Sequence, residues 1–299
     1  MRLASLHTYP VKGCYRLDHR TAVVEPWGLA GDRRWMVVEP DGTFLSQRST
    51  PALTQVRPAP APGGLVLRAP GRPDLPDLEV AEPVGAAGLA GSGPAEPVGA
   101  AGLAEPAPAG SAPKLLDVTV HRTTVAAAPA GAAADAWFTA VLGRPARLVW
   151  LDDPTRRPVN PLVGTPTDRV SFADGYPVTL ANQASLDALN DWLAEEGSPE
   201  GPLPMNRFRP NLVVSGAAPW AEDDWTGRLR VGEVTFRVAK PAGRCVVTTT
   251  DQETGERGRE PLPVLGRHRN VDQMLLFAIH LIPDAPGTIA VGDPVTPTR

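Results

Sequence analysis

Proline and glycine recur along the whole of this chain, 35 Pro and 29 Gly among 299 residues. Proline withholds a backbone donor and glycine loosens the backbone, so punctuation at this density favours many turns and short strands over long helices. The expected fold class is α+β, mostly β. Apolar residues make up 42% and charged residues 21%, enough to bury a core, which excludes wholesale disorder. The length fits two domains or one large one. A formal net charge of −4 supplies no general positive field, which argues against nucleic acid and anionic membrane as partners. No apolar run approaches the ~20 residues that span a bilayer, and the opening MRLASLHTYPVKG has no apolar stretch of the kind a secretory leader carries. A cytoplasmic protein is expected.

Residues 1–80 read as short strands and turns: Leu3 to Tyr9, Thr21 to Val24, Trp35 to Glu39, a turn at Asp41-Gly42, then Leu65 to Arg68, several with alternating apolar and polar positions. The texture changes from Ala81 to Pro113, where 33 residues hold 11 Ala, 7 Gly and 6 Pro, and AEPVGAAGLA begins at Ala81 and again at Ala95. Two copies are too few for a solenoid and this composition denies a core, so a mobile surface insertion is expected. Strand character resumes over Leu115 to Val125. A helix follows over Gly131 to Leu142, with Trp137, Phe138 and Val141 on one face and Gly143 as its stop. After a strand at Arg147 to Leu151, Asn182 caps a second helix, with Leu186, Leu189 and Leu193 at helical spacing and Gly197 at its end. The remainder reads as a strand at Leu212 to Ser215, a hairpin from Leu229 to Val238, a strand from Cys245 to Thr250, a turn at Glu253-Thr254-Gly255, and a last strand pair around Thr288 to Val295.

The common catalytic motifs are missing: no GxxxxGK loop, no GxSxG elbow, no HExxH, and a lone GxG at Gly91 and Gly93 inside the low-complexity stretch. His7, His19, His121, His268 and His280 are scattered without paired spacing and read as structural or surface residues. The only two cysteines, Cys14 and Cys245, stand far apart, which is neither a disulfide framework nor a zinc spacing. Cys245 follows a Pro-Ala-Gly turn in PAGRCVVTTTDQETG, beside Arg244. A neighbouring cation favours the thiolate, the form that binds a thiophilic metal, although a lone cysteine in a strand is more often a small buried hydrophobe. Basic residues gather in Pro- and Gly-flanked turns: Lys12 in YPVKG, Arg33 in GDRRW, and Arg207 and Arg209 in RFRPN. Guanidinium groups present a planar fork to phosphate, and glycine admits the backbone close to an anion, so together these turns suit an oxyanion clamp.

The segments YPVKGC, GLAGDRRWMVV, SFADGYPVTLANQASLDALN, NRFRPNLVVSG, AEDDW, GRCVVTTTDQETG and PGTIAVGDPV resemble, in order, the MOSC-domain family, and within it the amidoxime-reducing molybdenum enzymes. The resemblance implies an N-terminal MOSC-associated β-domain at 1–80, the insertion at 81–113, and a MOSC domain at 114–299 built as a β-barrel with a few helices. The metal-site region would span 171–260, with the site between the two domains. It further implies a molybdenum cofactor, the metal held by a pterin dithiolene, with Cys245 as the protein ligand. Lys12, Arg33 and Arg209 would clamp the pterin phosphate and ring edges, Asp174, Gly175 and Tyr176 would line the pocket near the metal, with Asp174 catalytic, and Gly13, Arg207 and Gly243 fall at further cofactor-binding positions.

The chain departs from the family where Gly13 replaces a serine after the lysine, where Gly175 and Tyr176 replace Thr-Ser, and where Gly243 replaces a serine before the cysteine. These changes bear on substrate choice more than on cofactor binding. The implied reaction is two-electron reduction of an N-hydroxylated small molecule, such as an amidoxime or hydroxylamine. No cysteine cluster for an iron–sulfur centre is present, so electrons are expected from a separate ferredoxin- or flavoprotein-type reductase. Two alternatives use the same residues: a carrier that binds the cofactor without turnover, and a persulfide relay on Cys245. Cys14 reads equally as a neighbour of the cofactor or as a packing residue.

Overall fold

The computed structural model describes residues 1–83, 114–121 and 123–298. The expected mobility of the duplicated Ala/Gly/Pro segment concerns residues that, apart from the first three, lie outside that range. Strand accounts for 39% of the described residues and helix for 19%, which is the α+β, mostly β class that the Pro and Gly density predicts. The largest sheet has the spatial order Val295–Thr298, Arg228–Val231, Val234–Gly243, Met274–Pro283, Val178–Asn182, Leu212–Ser215, Arg2–Thr8, Leu17–His19. Its one parallel pair is Val178–Asn182 with Leu212–Ser215. A parallel pair needs a crossover, and helix α1 (Ala132–Leu142) cannot supply it because it precedes both strands; α2 (Gln183–Glu195) does. Asn182 starts α2 as the sequence predicts, its side-chain oxygen accepting the Ala184 N–H at 3.1 Å. Leu3, Leu6, Leu180, Val214, Phe236 and Ile279 bury together inside this sheet.

The first strand of the chain thus joins a sheet whose other members come, apart from Leu17–His19, from beyond residue 177. A second sheet runs Leu116–Val120, Thr123–Pro129, Arg147–Trp150, Trp35–Val38, Val11–Lys12. Helix α1 packs on it through Trp137 and Phe138 and stops at Gly143, left-handed at φ 65°. Helix α3 (Leu262–His268) covers the far side of the first sheet with α2, through Leu186, Leu189, Val264, Leu265 and Phe277.

Three expectations change. The main sheet is open rather than a closed barrel: Leu17–His19 and Val295–Thr298 are its two edges. A single bridge, Arg2 to Pro294, and the bonds from Leu3 N–H to Asp293 O at 2.9 Å and Val295 N–H to Met1 O at 3.1 Å draw the ends together. Pro294 has no N–H to extend that ladder. Leu115 to Val125 carries the expected strand character, as the hairpin Leu116–Val120 and Thr123–Pro129. The two C-terminal strands do not pair with each other, since Gly287–Ala290 joins Thr21–Glu25 and Val295–Thr298 joins Arg228–Val231. Finally, Cys245 to Thr250 is no strand: Val246–Thr249 forms one 3₁₀ turn with Cys245 at its head. The threonines that read as β-formers instead bond back three residues, Thr248 Oγ1 to Cys245 O and Thr249 Oγ1 to Val246 O, each at 2.9 Å, an alternative to the ladder that hydroxyl side chains offer.

The turn at Asp41-Gly42 tests this packing. Gly42 has φ +89°, and a Cβ there would sit 2.5 Å from the Asp117 carbonyl oxygen. Gly42→Ala is expected to cost about 2 kcal/mol in urea unfolding, through both the left-handed backbone and the clash; an unchanged midpoint would remove the close approach from the account.

Candidate functional site

A cavity of about 420 Å³ opens where the second sheet meets the first. Every site residue singled out from the sequence lines it: Lys12, Gly13, Arg33, Asp174, Gly175, Tyr176, Arg207, Arg209, Gly243 and Cys245. Arg48, Lys240 and Arg244 join them, so among the described residues seven basic side chains face the cavity and Asp174 is its one acidic lining residue. Charge of this density has to be matched by hydrogen bonds, because burying a cation without partners is costly.

Lys12 ends a two-residue strand laid parallel to Trp35–Met36. Its ammonium is buried and donates to Phe172 O at 2.8 Å and to the Asp174 carboxylate. Burial pushes the Lys12 ammonium down to about 8, with Asp174 opposing the fall. On Asp174 burial works upward, yet the Lys12 cation and the His121 ring, 2.9 Å away through Nε2, hold its carboxyl well below the usual range. The loop carrying Asp174 is itself held from below. Arg157, nearly fully buried, donates to the carbonyls of Ser171, Ala173 and Asp174. Gly13 takes φ +84°, and its carbonyl accepts from Gln47 Nε2 at 2.6 Å.

Arg33 and Arg209 both sit in the left-handed region, at φ 48° and 51°, where a residue with a side chain is strained and the surroundings must hold it. The backbone of Arg33 is fixed on both sides, its N–H on Tyr9 O and its carbonyl under the Phe172 N–H, each at 2.9 Å. Both guanidinium groups lie over the Tyr9 ring, at 4.4 and 4.2 Å from its centroid, the geometry of a cation–π contact. Arg209 then donates to Cys14 O at 2.9 Å and Gln252 Oε1 at 2.8 Å. Arg207 donates to Thr249 O at 2.7 Å, which fastens the turn carrying Cys245. The arginines of the RFRPN turn therefore also tie chain segments together, a role the oxyanion reading did not include. Two donors of the cavity-lining arginines are left over: Arg207 Nε and Arg244 Nη2 are buried with no partner among the described residues, which is where a bound group with acceptor oxygens fits.

Cys245 is half-buried at the cavity wall. Arg244, the cation that its sequence neighbourhood offered, turns away to Phe277 O at 2.7 Å and Phe208 O at 3.1 Å. Arg48 reaches the sulfur instead, its Nη2 3.6 Å from Sγ. Nothing along the chain signals this contact, because Arg48 lies 197 residues away. Cys14, by contrast, is fully buried among Val11, Trp35 and Leu53. Burial pushes its thiol up to about 12, against the pull of Arg209, so it is a packing residue. Two of the histidines read as bystanders line the cavity, His121 on Asp174 and His280 stacked on Tyr176 at 4.7 Å. Burial first, then Arg244 and Lys240, push His280 down to about 3, which keeps the ring neutral.

Among the described residues no three His, Cys, Asp or Glu side chains cluster to hold a metal ion. A metal at Cys245 would therefore have to arrive with its own further donors, and a phosphorylated, sulfur-bearing organic ligand suits a single thiol surrounded by fixed cations.

The model of the MOSC N-terminal beta barrel domain matches residues 1–85 and that of the MOSC domain residues 167–296. Human mitochondrial amidoxime-reducing component 1 is 29% identical over 98% of this chain and 82% of its own length. Bovine mitochondrial amidoxime reducing component 2 is 29% identical over the same shares. The molybdenum cofactor sulfurase of Anopheles gambiae is 32% identical over 89% of this chain, which spans 32% of that larger protein.

The buried ammonium supplies a test. Folded Lys12 gives up its proton near 8 and the unfolded chain near 10.5. Between those values the unfolded state binds more protons, so this group adds stability as pH rises through that window. Lys12→Met is expected to be relatively most stable at pH 7 and to lose that advantage by pH 10 in paired urea titrations; a difference independent of pH would overturn the buried-cation assignment.

Proposed function

From the chain's membership of the MOSC-domain family, we propose a molybdenum-cofactor-dependent oxidoreductase that reduces N-hydroxylated small molecules. The observation that carries the reading is the single accessible thiol, Cys245, set in a wall of seven cations, two of which keep a buried donor without a partner. Cys245 Sγ would be the protein's one bond to the metal. Lys12, Arg33 and Arg209 would hold the pterin phosphate and ring edges, with Arg207, Gly13 and Gly243 shaping the same cradle. The cofactor, when bound, supplies two-electron chemistry at an oxygen-accepting metal. The chain supplies orientation and protons. An amidoxime takes up two electrons and two protons, its N–O bond breaks, and an amidine and water leave. The Lys12 ammonium, which burial brings down to about 8, would give a proton to that departing oxygen, with the ionised Asp174 carboxylate, in contact with Lys12 Nζ and His121 Nε2, positioning it. A separate ferredoxin- or flavin-type protein would deliver the electrons.

Similarity to the molybdenum cofactor sulfurase favours one second reading, a carrier that binds the same cofactor and passes it on. The two part on turnover: loaded protein that oxidises a chemical reductant faster once benzamidoxime is added is a reductase, and unchanged consumption makes it a carrier.

Cys245→Ser is expected to abolish benzamidoxime reduction and to lower the molybdenum content of protein isolated from a cofactor-producing host; full activity would refute the ligand assignment. Arg209→Ala is expected to retain less pterin, because a charge-assisted contact is lost, as read by pterin release and fluorescence. Its unfolding midpoint separates this loss from a loosened fold.

A further inference from the structure

The cavity's charge is not evenly used. Lys12 is matched by Asp174, Arg33 by Asp32 and Arg207 by Asp251, while Arg209 and Arg244 are spent on carbonyl oxygens. Arg48 and Lys240 differ: both are exposed at the cavity, and among the described residues neither pairs with a carboxylate. They come from separate parts of the fold, Arg48 from the loop after Trp35–Val38 and Lys240 from the irregular stretch of Val234–Gly243, where the register with Met274–Pro283 shifts. Lys240 Nζ lies 5.5 Å from the centroid of the Tyr176 ring, whose stacking partner is neutral His280. Arg48 stands against the Cys245 sulfur. The open part of the cavity therefore offers an aromatic ring with one cation lying over it, unpaired with any carboxylate among the described residues, and a second cation beside the thiol.

Resting on the proposed reductase reading, we infer that the substrate class of this site is a planar N-hydroxylated compound carrying an anionic group, with Lys240 and Arg48 reading the negative charge. An uncharged substrate leaves both cations unmatched at the mouth, whereas a carboxylate remote from the N–O bond pairs with one of them and is drawn in by both. Tyr176 and His280 supply the flat apolar wall beside it. The residues replacing Thr-Ser at Gly175 and Tyr176 are then the ones that build this platform.

The test compares 4-carboxybenzamidoxime with benzamidoxime on loaded protein driven by a chemical reductant. The carboxylated compound is expected to show a KM roughly five- to tenfold lower, from one or two partly exposed ion pairs, and the ratio should fall as salt rises. Lys240→Gln should collapse the ratio toward one, and Lys240→Arg should keep it. Equal KM values in the wild type, or a ratio untouched by Lys240→Gln, overturn the inference while leaving the reductase standing. Turnover of neither compound tells against the reductase itself. In that case calorimetric titration with 4-carboxybenzamidine and benzamidine decides the charge question: tighter binding of the carboxylated compound, lost in Lys240→Gln, supports the anion site, and equal binding refutes it.

Discussion

Seven cations around one cavity, in a protein of net charge −4, are the constraint on which the rest of this structure depends. Guanidinium and ammonium groups removed from water need acceptors nearly as much as they need counter-charge. The chain meets this largely with its own backbone. Arg207 takes the end of the Cys245 turn, Arg209 takes Cys14 and Arg244 takes Phe208 and Phe277, while Arg157, behind the cavity wall, takes three carbonyls of the Asp174 loop. Most of these bonds fix loops and turns, and the one to Phe277 fastens Arg244 to the strand Met274–Pro283. The cost of burying charge and the order of the site are therefore the same interactions.

Position in the chain follows from this. Segments around residues 9–14, 31–35, 171–176, 205–211 and 243–252 converge although hundreds of residues separate the first from the last. Tyr9 marks the junction: its ring lies under Arg33 and Arg209, and its hydroxyl donates to Pro210 O at 3.0 Å. The strand Arg2–Thr8 delivers it there by pairing with Leu212–Ser215, so the N-terminal residues help to form the wall of a site whose thiol comes from the far end. A fold of short strands and tight turns makes such convergence possible, because loops can meet only where rigid elements hold their ends.

The proposed chemistry uses the contrast between the two sulfurs. Cys14 is sealed in apolar packing and Cys245 stands at the cavity with a guanidinium beside it. Only the second has room for a bond to anything outside the chain. On the cavity wall the Lys12 ammonium meets the Asp174 carboxylate, with the His121 ring against the same carboxylate, and a proton-bearing ammonium suits a reaction that consumes protons as it consumes electrons.

Much of this was legible in the residues. Composition carried the fold class, because Pro and Gly limit element length wherever they occur. Local patterns carried both predicted helices, since Asn182, Gly143 and the apolar spacing act within a few residues. The ordered motifs gathered the positions that line the cavity. The partners of those residues were not legible. Threonines after Cys245 obey β propensity in isolation and lose to back-bonding and to Arg207; the open edge of the main sheet turns on one proline meeting Arg2; and Arg48, not adjacent Arg244, reaches the thiol. Sequence alone determined which groups this protein possesses and which short elements they form, because those depend on neighbours along the chain. Tertiary structure decided which cations are consumed by carbonyls and which stay free, because that depends on contacts between segments that meet only when the chain is folded.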